Sequence, residues 1–245
     1  MTNLHPNTLT RINTHLSTLF EIPASTLAQT GTSLHLTDTR KADGWQLLWH
    51  LDHHVVAQIH ATHETSLQKI IASKPTDTRL SLNDITTQSP SAQTATADYF
   101  YTVDTQSLIM PAVADGYTIR QATQHDQSAF EDFLSACSEE DKAQGQVSLE
   151  DEALFVAFTE DGTITAVASS FEFLGFVDIG VLTHPAHRKR GLGGACVARI
   201  SQHYLRQAND PRLLLYRHEV TNHGSRGVAI KVGYQNLAMV DYFKL

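Results

Sequence analysis

Arg188-Lys189-Arg190-Gly191-Leu192-Gly193-Gly194-Ala195 is the segment of this chain whose residue types suit a phosphorylated ligand. Its glycines let backbone N–H groups approach phosphate oxygens with no Cβ in the way, and its three cationic side chains supply full positive charge. An apolar run, Phe176–Thr183, precedes it, and a helix-like stretch over 196–206 follows. That order, strand then basic turn then helix, sets the partial positive charge of a helix N-terminus where a pyrophosphate would lie. A dinucleotide cradle fits less well. The third glycine of G-x-G-x-x-G would be Cys196, residues 185–190 separate strand from glycines, and no G-x-x-x-x-G-K-[ST] loop is present.

Two further segments keep the same order along the chain. Thr183-His184-Pro185-Ala186-His187-Arg188 leads into the turn, and downstream come Asn222-His223-Gly224-Ser225 and Val232-Gly233-Tyr234. With Arg188, Gly191 and Gly193 in a Gln/Arg-x-x-Gly-x-Gly/Ala pattern, the chain over about 116–245 resembles the GNAT superfamily of N-acetyltransferases. The resemblance implies acetyl-CoA as co-substrate and a primary amine of a small molecule or peptide as acceptor. A CoA-binding regulatory or interaction module with weak or no catalysis is the alternative. Carried over residue by residue, it implies cofactor contacts at Val181, Leu182, Thr183, Arg188, Lys189, Arg190, Gly191, Leu192, Gly193, Gly194, Asn222 and Ser225. Asn222 reads equally as the N-cap of the next helix and Ser225 as an ordinary first-turn residue. His184 and His187 are expected on or near the cofactor.

The implied reaction needs a route for the amine proton, donors for a developing oxyanion and a proton for the leaving thiolate. By resemblance, a backbone N–H at Val181 or a neighbour meets the oxyanion. Asp178, on the strand before the turn, is the first candidate base, and Glu172, on the preceding strand, the second; Glu219 and His218 leave the next strand. Period-2 alternation and a strand bulge leave the facing of Asp178 open. The sequence departs from the family at the general acid, because the tyrosine four residues before the terminal-helix glycine is here Ala229. Tyr216 and Tyr234 are nearby but off the motif. Either the thiolate, with a pKa of about 8.5, leaves unaided, or another residue substitutes, or turnover is slow.

The elements that must position these groups make a mixed α/β domain. Tyr117-Thr118-Ile119-Arg120 reads as a strand, and His125-Asp126 as the cap of a helix with Phe130, Phe133 and Leu134 on one face. Runs at 153–158 and 164–173 form a hairpin about Glu160-Asp161-Gly162. A strand at 176–183, a helix at 192–207, a strand at 213–218, a helix at 225–232 and a strand at 237–243 complete it. The last strand offers an exposed edge for pairing into a homodimer.

Residues 1–110 read as a smaller α/β domain, either a degenerate second GNAT-like half or an added module, without a second glycine-rich turn. A helix at 7–20, strands at 33–37 and 45–61, a helix at 66–73 and a loop or linker at 81–98 are expected. His50, Asp52, His53, His54, His60, His63 and Glu64 crowd together, yet no cysteine joins them and strand alternation splits them between faces, so no metal is expected.

Charge is unevenly placed. The chain has 18 basic and 26 acidic residues, a net of −8, while residues 188–240 hold nine Lys or Arg against only Asp210 and Glu219. Arg199, Arg206 and Arg212 suit a solvated helix face. Glu139-Glu140-Asp141 and Glu150-Asp151-Glu152, expected in and after the first helix of the domain, would either line an acidic acceptor surface or cap helices. A pI of 5.9 argues against a general nucleic-acid binder. Two cysteines, no leader-like N-terminus and no long apolar run point to a cytoplasmic protein off the membrane.

Overall fold

The computed structural model describes residues 3–75, 77–207 and 212–245. In chain order the elements are α1 (Pro6–Phe20), α2 (Ala24–Leu27), β1 (Gly31–Leu36), β2 (Gln46–His50), β3 (His54–Ile59), α3 (Glu64–Ala72), α4 (Leu82–Gln88) and β4 (Gln93–Thr102). There follow β5 (Tyr117–Gln121), α5 (Gln127–Ser135), α6 (Glu139–Gly145), β6 (Ala153–Thr159), β7 (Ile164–Phe173), β8 (Phe176–Thr183), α7 (Leu192–Leu205), β9 (Leu214–Glu219), α8 (His223–Val232) and β10 (Gln235–Lys244). They form two compact units, one of residues 6–100, 219–221 and 236–245, the other of 1–5, 101–218 and 222–235. Both mix helices and strands, the mixed α/β class that the sequence implies.

In the first unit the strands run β1-β3-β2-β10-β4. β1 is parallel to β3, β2 and β3 form a hairpin, and β10 lies antiparallel to β2 with Val240 opposite Trp49. Leu48, Val55, Ala57 and Ile59 from the sheet meet Leu67 and Ile70 of α3 and Ile85 of α4 in one apolar core. Two expectations fail here. Residues 81–98 are not a linker: Ser81 and Asp84 form a reciprocal capping box that starts α4, Ile85 is fully buried, and β4 begins at Gln93. The Ser/Thr content that reads as a loop is cap chemistry followed by strand-compatible threonines. Nor is the terminal strand an edge, since β10 sits between β2 and β4 and has no free side for a second copy.

Three of the crowded histidines hold partners outside the group. His50 Nε2 meets Asp241 at 2.8 Å, His54 meets Ser33 Oγ and the Gln29 carbonyl, each at 2.9 Å, and His63 meets the Ala42 carbonyl. Among the described residues no group of three His, Cys, Asp or Glu is placed to hold a metal.

The second unit has its strands in the order β9-β8-β7-β6-β5, antiparallel from β5 to β8, with β9 parallel to β8. The β6–β7 hairpin turns at Gly162, whose φ of 85° favours glycine. Phe130 and Phe133 of α5 pack on Val156, Val167 and Leu182. Asp126 is the N-cap residue of helix α5, and its side chain closes a capping box with Thr123 on the 3-10 turn Gln124–Asp126 just before the helix. Asp126 also takes both Arg120 guanidinium nitrogens at 2.7 and 2.8 Å, which holds its carboxyl well below the usual carboxylate range. On α7, Cys196, Val197, Ala198 and Ile200 are fully buried, so the helix is fixed rigidly against the sheet. The β8–β9 register covers only Val177↔Leu214 and Asp178↔Leu215. Both strands run on beyond it, and the sheet therefore forks.

Among the described residues, no helix is long and apolar enough to cross a membrane, and both cysteines are buried free thiols.

Candidate active site

The turn that starts α7 is shaped by its glycines. Lys189 has φ 64° and Gly191 φ 79°, so two left-handed residues swing the chain into the helix. Gly191 is the N-cap, and no side chain caps the 14-residue helix. Among the described residues the first-turn N–H groups of α7 thus have no side-chain cap, the arrangement that binds an anion. Gly193 faces β8, where a Cβ would sit 2.8 Å from Thr183 Oγ1. A side chain there would push the helix off the strand.

In front of this turn lies a cleft of about 690 Å³. Eleven of the twelve residues expected at a cofactor line it: Val181, Leu182, Thr183, Arg188, Lys189, Gly191, Leu192, Gly193, Gly194, Asn222 and Ser225. Arg190 is the exception. Its guanidinium donates to Tyr117 Oη at 2.7 Å, and the same hydroxyl meets His187 Nδ1 at 3.0 Å. Neither His184 nor His187 reaches the cleft, and burial together with the neighbouring His184 lowers the pKa of His187. Asn222 is the N-cap of α8, its Oδ1 accepting from Ser225 N at 3.0 Å, and it lines the cleft as well. The N-cap reading of this residue holds.

The opposite wall lies outside the set of residues expected at the cofactor. It comes from α6, through Asp141, Gln144 and Gly145, with Pro111 beside α8. Asp141 Oδ1 pairs with Arg188 Nη2 at 2.7 Å, and Gln144 Oε1 accepts from Asn222 Nδ2 at 2.9 Å, so α6 is tied to both sides of the cleft. Hydrogen bonds from Ser138 and then Arg188 depress the pKa of Asp141. The end of α6 docks on β8 because Gly180 has no side chain; a Cβ there would collide with the Gly145 and Gln146 carbonyls. The signal was Ser138-x-x-Asp141, a helix-start pattern, whose acids begin a second helix instead of lying in the first. The other acidic group stays outside the cleft, with Glu152 paired to Arg212 and Asp151 accepting from Ser148 N.

The two candidate bases sit elsewhere. Asp178 is buried at the fork, accepting from Arg217 Nε at 2.6 Å and from Ile179 N at 3.0 Å. Arg217 in turn lies over the Phe173 ring at 3.8 Å. Glu172 is exposed at the far end of β7 and accepts from Gly175 N at 2.6 Å, closing the β7–β8 turn. Neither lines the cleft. Ala229 is fully buried, Tyr234 Oη is bonded to Ser201 on α7 at 2.8 Å, and no tyrosine lines the cleft.

Residues 119–234 match the family described as Acetyltransferase (GNAT) family. Among solved structures, a GCN5-related N-acetyltransferase from Sphaerobacter thermophilus is similar at 16% identity, covering 83% of this chain and 61% of its own, with a TM-score of 0.50. A GCN5-related N-acetyltransferase from Kribbella flavida shares 20% identity over 62% of this chain and 59% of its own, with a TM-score of 0.46. An acetyltransferase from the GNAT family of Colwellia psychrerythraea shares 14% identity over 77% and 76%, with a TM-score of 0.49. The present chain thus spans about three-fifths of the Kribbella flavida protein, 59% of its length. No curated protein matches the sequence.

Proposed function

Through residues 119–234 the chain belongs to the GNAT superfamily of acetyltransferases, and on that premise we propose that it moves an acetyl group from acetyl-CoA to a primary amine of a small molecule or peptide. The observation that carries the reading is the uncapped N-terminus of α7 opening, between Arg188 and Lys189 and the glycines, onto a cleft of about 690 Å³. A helix start with free N–H groups and flanking cations suits a pyrophosphate. Bound there, acetyl-CoA supplies an activated acyl carbon and a thiolate leaving group.

The protein's own part is positioning and charge. The α7 amides, Arg188 and Lys189 hold the phosphates, while Asn222 and Ser225 face the rest of the cleft from α8. Past Asp178, β8 has no registered partner on its β9 side, which frees backbone polar groups near Val181 for an oxyanion. A base role for Asp178 requires it to share or exchange Arg217, and one for Glu172 requires an acceptor at the far end of the hairpin. The catalytic work in this proposal belongs to the unit of residues 101–218 and 222–235, which holds every residue lining the cleft, and the other unit is an added α/β domain without a second CoA site. A cytoplasmic setting belongs to the same reading.

Titration calorimetry with acetyl-CoA tests it, using a Gly191→Glu, Gly193→Glu double variant as control. Saturable binding that the variant loses supports the reading, and no binding by a well-folded parent protein overturns it. A second reading, a CoA-binding module without efficient turnover, is favoured by buried Ala229 and by the engagement of Asp178 with Arg217. Binding without acetyl-CoA consumption across polyamines, amino acids and peptide N-termini selects it.

A further inference from the structure

Tyr216 occupies the first position of β9 beyond the last registered pair with β8, the vertex of the fork. Its side chain is 1% exposed, and its hydroxyl has no hydrogen-bond partner. A buried phenol of this kind usually finds one, because desolvating a hydroxyl without compensation is costly. Tyr234, against which its ring packs at 5.6 Å, is satisfied through Ser201. The Ser225 hydroxyl, which lines the cleft from the first turn of α8, interacts with the Tyr216 phenol and works against the effect of its burial. Burial pushes the Tyr216 phenol well up, so it is a donor at every working pH.

We propose that Tyr216 is a positioning residue, donating to Ser225 Oγ so that the Ser225 hydroxyl points its own hydrogen at the sulfur of bound CoA. The inference rests on the acetyl-CoA reading above. A hydroxyl has one hydrogen and two lone pairs, so a donor aimed at its oxygen leaves the hydrogen for another acceptor. In the proposed bound state the two oxygens lie within hydrogen-bond range. Ser225 then serves where residue 229, an alanine, cannot. It stabilises the departing sulfur by a hydrogen bond without itself surrendering a proton, and the thiolate is protonated afterwards from solvent. Such a donor lowers the pKa of the thiol, because it favours the charged form.

The test needs no acceptor amine. The thiolate absorbance of CoA bound to the protein is titrated against pH for the parent protein, Ser225→Ala and Tyr216→Phe, and the affinity of desulfo-CoA is measured for all three. The expected result is a bound thiol about one unit below that of free CoA titrated alongside. Ser225→Ala abolishes that shift, Tyr216→Phe reduces it, and desulfo-CoA binding by Tyr216→Phe stays within about twofold of the parent protein. Tyr216→Phe removes only an unsatisfied hydroxyl and should fold normally. No CoA binding by the parent protein overturns the acetyl-CoA reading and this inference with it. Binding with an identical thiol pKa in all three proteins overturns the inference alone, as does a desulfo-CoA affinity that falls in step with the thiol shift. A shift lost in Ser225→Ala but intact in Tyr216→Phe removes Tyr216 from the arrangement.

Discussion

Asp141 on α6 and Arg188 at the entry to the glycine turn are joined by a 2.7 Å ion pair. A carboxylate thus occupies the guanidinium that a pyrophosphate would use. The side chains are 29% and 45% exposed, so the pair itself is worth no more than about 1 kcal/mol. Its larger effect is on a ligand, because a phosphate entering the cleft must displace Asp141 and then sit beside its charge. Asp141→Asn should therefore tighten CoA binding by roughly three- to tenfold. Pantetheine, which has no pyrophosphate, should bind both proteins alike. Equal gains for the two ligands would mean that α6 had moved and that charge was not the cause.

The glycines of the α7 turn differ in what they permit. At Gly193 a Cβ would lie 2.8 Å from Thr183 Oγ1 and 3.3 Å from Val181 Cγ2, whereas at Gly194 the nearest atom is Val232 Cγ2 at 3.7 Å. Alanine is favoured over glycine in a helix by about 1 kcal/mol. Gly194→Ala should raise the melting temperature by roughly 2–4 °C and leave acetyl-CoA affinity within a few-fold. Gly193→Ala should lower both. Equal melting temperatures for the two variants would show that α7 does not rest on β8 as closely as described.

The turn and its flanking strand were legible in the sequence because their demands are local. A basic glycine-rich segment between an apolar run and a helix pattern fixes its own geometry, and Phe176–Thr183 coincides with β8 residue for residue. Partnerships across the fold were not legible. The burial of Asp178 against Arg217 depends on which way β9 leaves the fork, and the capture of Arg188 by Asp141 depends on where a seven-residue helix docks. Gly180 is the residue that lets α6 dock, and in a strand pattern it reads as any small residue. In the N-terminal residues, cap chemistry at Ser81 and Asp84 has the composition of a loop, which hid α4, and the pairing of β10 with β2 joins residues nearly two hundred positions apart.

Asp126 supplies a pH-dependent contribution. Its carboxyl is held low in the folded protein, first by Arg120 and then by Thr123, so its folded pKa lies below its unfolded one. The stability it adds is full above the unfolded value of about 3.9 and is lost as pH falls through and below it. Thermal melts of the parent protein and Asp126→Asn should differ by several degrees at pH 7, and the difference should begin to narrow below about pH 4 and go on shrinking as pH falls toward the depressed folded pKa. A difference that stays constant across that range would assign the effect to helix capping and not to the ionised carboxylate.

Asp178 and Arg217 make the sharpest prediction about the fork. Their side chains are 3% and 18% exposed, and their 2.6 Å contact is reinforced by Ile179 N and by the Phe173 ring under the guanidinium. Removing one member of a buried pair costs about 3–5 kcal/mol. Asp178→Asn should therefore lower the melting temperature by roughly 6–20 °C, and Asp178→Asn combined with Arg217→Met should recover much of that loss. Any fall in acetyl-transfer activity must be read against this cost, at a temperature where the variant is fully folded. Activity lost while stability is unchanged would restore Asp178 as a direct base. Stability lost with activity kept in the folded fraction would make the pair the brace that holds β8 and β9 together up to the point where they part.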